Sequence, residues 1–264
     1  MFFANEAFIR IICFAVGLTI LLVVEKLFPK REYRHNRTGR WKSNIALVFL
    51  NTILIRVIFP VLAVETAFLA EEAGWGLFNT YAVPFIASFI IGFLLLDMSV
   101  YFTHIAFHKI KFLWALHKVH HTDLDLDVTT GLRFHPFEIF ISMGIKILIV
   151  VLFGLPFEVV ITFEIILNLM FMFTHANLNL PYGLEKVTRY LFVTPDMHRI
   201  HHSMVQEETN SNYGFNFSLW DRLFLNYRAF PAAGHYKMQI GLKEYRDIKL
   251  LGFYHLLKLP FQKQ

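Results

Sequence analysis

The sequence predicts an all-α integral membrane protein: four to five transmembrane helices with a helical cap gathered on one side. Three observations lead there. Hydrophobic residues fill 56% of the 264 positions and charged residues only 17%, against about 25% in soluble domains. The apolar residues fall in runs long enough to cross a hydrocarbon core of about 30 Å. Eight of the thirteen histidines sit in three short boxes, HIAFH at 104–108, HKVHH at 117–121 and HRIHH at 198–202.

The first span covers about 7–28 and is followed by a basic block, KREYRHNRTGRWK, at 30–42. No small-residue cleavage site intervenes, so this is an uncleaved span. Its lone cysteine, Cys13, excludes an internal disulfide. The second span covers about 45–70 and is interrupted by Arg56 and Glu65, which either face the bundle interior or mark a bend. Pro84 opens a third span, 84–103. Two more, 137–155 and 157–177, meet at FGLPFE, where Gly154 and Pro156 predict a tight turn. Lys and Arg prefer the cytoplasmic side, so 30–42 lies there. Counting spans then returns 104–136 and 178–264 to the same side as a cytoplasmic cap. A basic block that abuts spans reads as a membrane anchor, and nucleic-acid binding is not expected. The whole chain reads as a single membrane-embedded domain.

On a helix, residues four apart lie about 40° from each other around the axis and residues three apart about 60°. His104 and His108 therefore share a face, as do His117, His120 and His121, and again His198, His201 and His202. Neutral imidazole ligates iron, zinc, copper or nickel. Eight such rings exceed what one tetrahedral ion accepts, which predicts a histidine-rich dimetal site. Asp97 is in phase with His104 and His108 and is expected to orient a ligand ring. Glu164, Asn168 and His175 form a stripe on the fifth span that Asn179 extends; His175 is expected as a ninth ligand, Asn179 and Glu164 beside the ligands. His135, in RFHPFE, either shapes a turn or lies near the metals. His35, His235 and His255 have no partner at helical spacing. Phe134, Phe137 and Phe140 are candidates for an apolar slot. Asp196 either caps the box helix or orients a ligand, and Trp220 and Asp221 are expected to fix the cap.

Taken together, HxxxH and two HxxHH boxes resemble the fatty acid hydroxylase and sterol desaturase superfamily of membrane di-iron enzymes. DMSVYFTHIAFH, HPFE, THAN, TPDMHRIHH and NYGFNFSLWDRLF extend the resemblance from Asp97 to about Trp220, roughly half the chain. It implies two Fe ions held by the eight box histidines and His175. It also implies O2-dependent chemistry on a fatty acyl, sterol or ether lipid. Some members carry a histidine where Asn179 stands. Electrons are expected from a separate carrier such as cytochrome b5 or ferredoxin, because the chain leaves no room for a fused one. A bacterial inner membrane is preferred over the endoplasmic reticulum, since the chain is short and ends PFQKQ without a retrieval signal. The competing reading is a membrane metal transporter or metal-binding protein without oxygenase activity.

Overall fold

Long apolar runs fold as helices because a backbone removed from water must bond within its own segment. In the computed structural model, which describes residues 2–59 and 61–262, the first run forms α1, Phe2–Leu27. The basic block supplies the cap of the next helix: Asn36 accepts from the Thr38 N–H at 2.9 Å ahead of α2, Arg37–Ile58. The expected second span is not one helix. α2 stops at Ile58 and α3 covers Ala63–Glu72. Arg56 and Glu65 lie either side of the break and pair at 3.1 Å, so the two interrupting charges bridge a bend. A short α4, Leu77–Thr80, leads to α5, Phe85–Lys109. α5 begins after Pro84 as expected but runs past 103, carrying the first histidine box on its last turns.

Ile110 is extended, at φ −95° and ψ 116°, and turns α6, Lys111–His121, back against α5. A 3₁₀ turn at Val128–Leu132 follows, then α7, Pro136–Phe153. Proline is tolerated at that first position because its missing N–H had no partner to lose. α7 and α8, Phe157–His175, form the expected hairpin. Gly154 turns it with φ +64°, and a Cβ there would strike the Trp75 carbonyl. The cap is built from short helices: α9, Tyr182–Thr188; α10, Pro195–His201; α11, Gln206–Thr209; α12, Leu219–Leu223; α13, Gly234–Lys237; and α14, Phe253–Lys258. Among the described residues, β pairing is confined to isolated bridges such as Pro29 with Leu178. Among the described residues, five segments are long and apolar enough to cross a membrane: Glu6–Leu27, Arg37–Thr80, Phe85–Lys109, Pro136–Phe153 and Phe157–His175.

Small and branched side chains bring the spans together. Ala63, Val64 and Ala67 of α3 pack with Leu96 of α5, Val150 of α7 and Val159, Val160 and Phe163 of α8, all fully buried. A buried cation ties the bundle to the loop after the second histidine box. Arg40, near the start of α2, reaches Asp123 Oδ1 at 2.5 Å, Asp123 Oδ2 at 2.8 Å and Asp127 Oδ2 at 2.9 Å. Burial alone would raise the Asp123 carboxyl, but the Arg40 guanidinium outweighs it and holds the pKa at about 2. Removing one partner of a buried ion pair leaves an uncompensated charge, at a cost of about 3–5 kcal/mol. Arg40→Ala should therefore lower the thermal midpoint in detergent by far more than Arg37→Ala, whose side chain is 31% exposed.

Candidate metal centre

Nine imidazoles from four separate helices converge where the spans meet the cap. They form two groups. His104 and His108 of α5 meet His117 and His121 of α6 and His201 of α10; His120 of α6 meets His175 of α8 and His198 and His202 at α10, with the candidate donor atoms of each group within 4.8 Å of one another. Each HxxHH box divides between the groups because adjacent helical residues point about 100° apart. His117 and His121 face one way and His120 the other; His201 is likewise separated from His198 and His202. The eight box histidines and His175 are thus all brought together.

Hydrogen bonding cannot account for the contacts inside the groups. His175 Nε2 lies 3.0 Å from His120 Nε2, 3.0 Å from His198 Nε2 and 3.2 Å from His202 Nε2. A ring nitrogen carries one lone pair or one N–H, so it cannot satisfy three like atoms at once. A cation can. Two nitrogens about 2.1 Å from a common ion and about 90° apart lie about 3.0 Å from each other. His117 Nε2 repeats the pattern, 3.1 Å from His104 Nε2 and 3.2 Å from His121 Nε2. His108 Nε2 and His201 Nε2 are buried with no partner at all, as inward-facing donors would be. The residues present fit two metal ions, one group offering five nitrogens and the other four.

The outward nitrogens set the tautomer. His104 Nδ1–H donates to the Tyr213 carbonyl at 2.7 Å, His175 Nδ1–H to the Phe171 carbonyl at 2.6 Å and His201 Nδ1–H to the Ser211 carbonyl at 2.8 Å. His117 Nδ1–H donates to Glu138 Oε1 at 2.6 Å. A carbonyl only accepts, so the proton sits on Nδ1 and each Nε2 keeps a free lone pair. Burial suppresses the charged form of the cap histidines, lowering His117 to about 3 and His120, His121, His198, His201 and His202 well below 6.5. The neutral form is the one that ligates.

Other predicted residues take different places. Asp97 is buried but accepts from Trp220 Nε1–H at 2.7 Å, so it clamps α5 to α12 and bonds no histidine; the backbone of Tyr213 does that work instead. Asn179 is exposed, its N–H bonded to the Phe28 carbonyl at 2.9 Å, away from the cage. His135 caps α7, accepting from the Phe137 N–H at 3.3 Å, and lies outside both groups. Asp196 pairs with Lys30 at 3.0 Å and with Arg199, while Thr194 caps α10. His235 lies 3.8 Å from Asp196, apart from the cage. Asp221 accepts the N–H groups of Tyr213 and Gly214 at 2.7 and 2.9 Å, fixing the loop whose carbonyl receives His104.

Two contributors had only weak sequence signals. Glu138 was legible as a helix-start acid, and nothing in its spacing pointed to His117, 21 residues earlier. Gly131 lets the 3₁₀ turn press on α8: a Cβ there would strike the Phe171 carbonyl and come within 3.2 Å of His175 Nδ1. Beside the centre, a cavity of about 310 Å³ runs into the spans. His104, His117, Phe134, Phe171 and Phe215 line one part, and Arg10, Lys146 and Glu164 another. Phe137 is half exposed and Phe140 packs against Phe59, so of the three candidate slot residues only Phe134 lines it.

The sequence pattern described as "Fatty acid hydroxylase" matches residues 89–226, the stretch that holds all nine imidazoles. An ornithine lipid hydroxylase of Rhizobium tropici is 27% identical over 212 residues, 78% of this chain and 63% of its own length. The alkylglycerol monooxygenase of Homo sapiens is 27% identical over 169 residues, 63% of this chain and 36% of its own. That of Xenopus tropicalis is 32% identical over 136 residues, covering 50% of this chain and 28% of its own. The chain therefore spans under two thirds of each of these relatives. No solved structure matches it.

Carboxylates that orient a ligand histidine are typically worth about 10–100-fold in metal affinity. Glu138→Ala should weaken metal retention on that scale, read as metal per chain after dialysis against a graded chelator, with Glu138→Gln falling between. Retention equal to the parent in both would show that Glu138 does not hold His117.

Proposed function

Because the chain belongs to the fatty acid hydroxylase family, we propose that it is an O2-dependent, di-iron lipid oxidoreductase of the membrane. The observation that carries this reading is the pairing of a five-imidazole and a four-imidazole group beside a Phe-walled cavity within the spans. Iron bound there would supply an oxidant able to break an unactivated C–H bond once O2 and two external electrons are added. For hydroxylation the balance is R–H, O2, two electrons and two protons in, R–OH and water out. The names of the relatives, a hydroxylase and monooxygenases, favour oxygen insertion over desaturation.

The chain's own residues hold, orient and exclude. His104 and His117 present their edges to the cavity, so the carbon to be oxidised lies against that wall. Phe134 stacks on His120 with ring centres 4.6 Å apart, and Phe171 meets Phe215 at 4.4 Å, closing an apolar collar that keeps water from the reacting carbon. A volume of about 310 Å³ takes one section of a lipid and not a whole molecule. The rest of the substrate stays in the bilayer.

The basic block at 30–42 supports a centre facing the cytoplasm, and the bacterial relative that covers 78% of the chain supports a bacterial inner membrane. Electrons come from a separate carrier. A metal transporter would place ligands near the midplane along a path through the spans; here they gather at one end of the bundle.

Purified protein loaded with iron, lipid extract and an electron donor should consume O2 and yield an oxidised lipid seen by mass spectrometry. His120→Ala and His201→Ala each remove a ligand and should reduce turnover by at least about 100-fold, beyond the range of outer partners. Parent-like turnover in both variants would sink the reading.

A further inference from the structure

The five-imidazole group meets the outside at one further place, on the cap. His108 is the one candidate ligand of the nine that is not fully buried. It lines a surface cleft of about 860 Å³ together with Trp114, Lys118, Met204, Lys243 and Tyr245. The Trp114 ring lies 5.1 Å from His108, 5.5 Å from His121 and 6.3 Å from His117 between centres. Three of the five imidazoles thus touch a single indole that faces the cleft. This cleft shares no lining residue with the Phe-walled cavity.

Its rim is basic. Lys243 is exposed on the cleft, and Lys109 and Lys111 are exposed at the α5–α6 turn, Lys111 being one helical turn before Trp114. No acidic residue occurs between Asp97 and Asp123, and Glu244 is the one acid lining the cleft. A small neutral reductant would need no such rim. Complementary charge steers and orients a protein partner before contact.

Resting on the oxygenase reading, we infer that this cleft docks an acidic one-electron carrier protein and that Trp114 is the contact through which its electrons reach the five-imidazole group. The carrier is oxidised by one electron at each encounter. Two encounters supply the pair that reduces one oxygen atom of O2 to water. Lipid enters from the bilayer side and electrons from the cap side, so neither blocks the other.

The test uses iron-loaded full-length protein with two probes, a soluble cytochrome b5 domain and a plant-type [2Fe–2S] ferredoxin. At least one should bind the parent saturably, more weakly as salt rises. Lys111→Glu with Lys243→Glu should slow its association by about tenfold or more while leaving iron content unchanged. Trp114→Leu should bind the carrier like the parent but lose fast oxidation of pre-reduced carrier in anaerobic stopped flow, and Trp114→Phe should recover it. Failure of both carriers to bind the parent overturns the assignment. So does parent-like association in the charge-reversed protein, or parent-like transfer in Trp114→Leu. Dithionite separates this result from the reading beneath it. Lipid oxidation by the variants with dithionite leaves the oxygenase standing whatever happens to docking, and its absence in the parent removes the oxygenase while the binding data still report on the cleft.

Discussion

Mutual crowding of neutral imidazole nitrogens governs this molecule. Nine rings, all buried but the half-buried His108, aim their Nε2 atoms at two common points, closer together than uncharged nitrogens can satisfy one another. Such an arrangement is unfavourable without a cation at each point, because buried donors lose water and gain no partner. Metal held at those two points would add its binding free energy to the folding of the cap. Elements that look like ordinary cap structure are best understood by what they hold fixed around it.

Four of the rings, those of His104, His117, His175 and His201, are held from behind by something that cannot easily move. The reversal at Ile110 lays α6 along α5 and sets box two against box one. Gly131 admits the 3₁₀ turn so close to α8 that Phe171 can receive His175. Asp221 orders the loop that offers the Tyr213 carbonyl to His104, and the Asp97–Trp220 bond ties that loop's helix to the third span. Arg40 carries the same logic to the first half of the chain, joining α2 to Asp123 and Asp127 just after box two. Four of the nine outward nitrogens thus end on backbone carbonyls or a carboxylate that are themselves fixed.

Much of this could be read from the sequence because helices have fixed periods. The boxes, the hairpin at Gly154 and the five apolar segments follow from spacing and hydropathy, and the nine converging rings were all legible by number. What escaped depends on distance in space. Phase alone put Asp97 beside His104, yet phase says nothing of what approaches from another element, and the Trp220 indole took that carboxylate. Asn179 was placed by extending the α8 stripe, but the helix stops at His175 and the periodicity stops with it. Glu138 and Gly131 carry no local signal of their role, since their partners are remote in the chain. Helical spacing put the three imidazoles of each HxxHH box on one face; their division between two groups, and which rings join which, needed the third dimension.

On the proposed reading, a cage at the junction of spans and cap answers two unlike demands. A lipid carbon is stable only in apolar surroundings, and the Phe134, Phe171 and Phe215 wall extends the bilayer's environment to the edge of His104 and His117. Charged partners are excluded from that region, since moving them to membrane depth costs several kcal/mol. A centre buried at mid-bilayer would be closed to them, and one out in the cap would force the lipid to leave the membrane. At the boundary, one wall of the same cage can be greasy and the opposite wall wet. His108, partly exposed at the end of α5, and His104, one turn deeper and fully buried, mark that boundary to within a single helical turn.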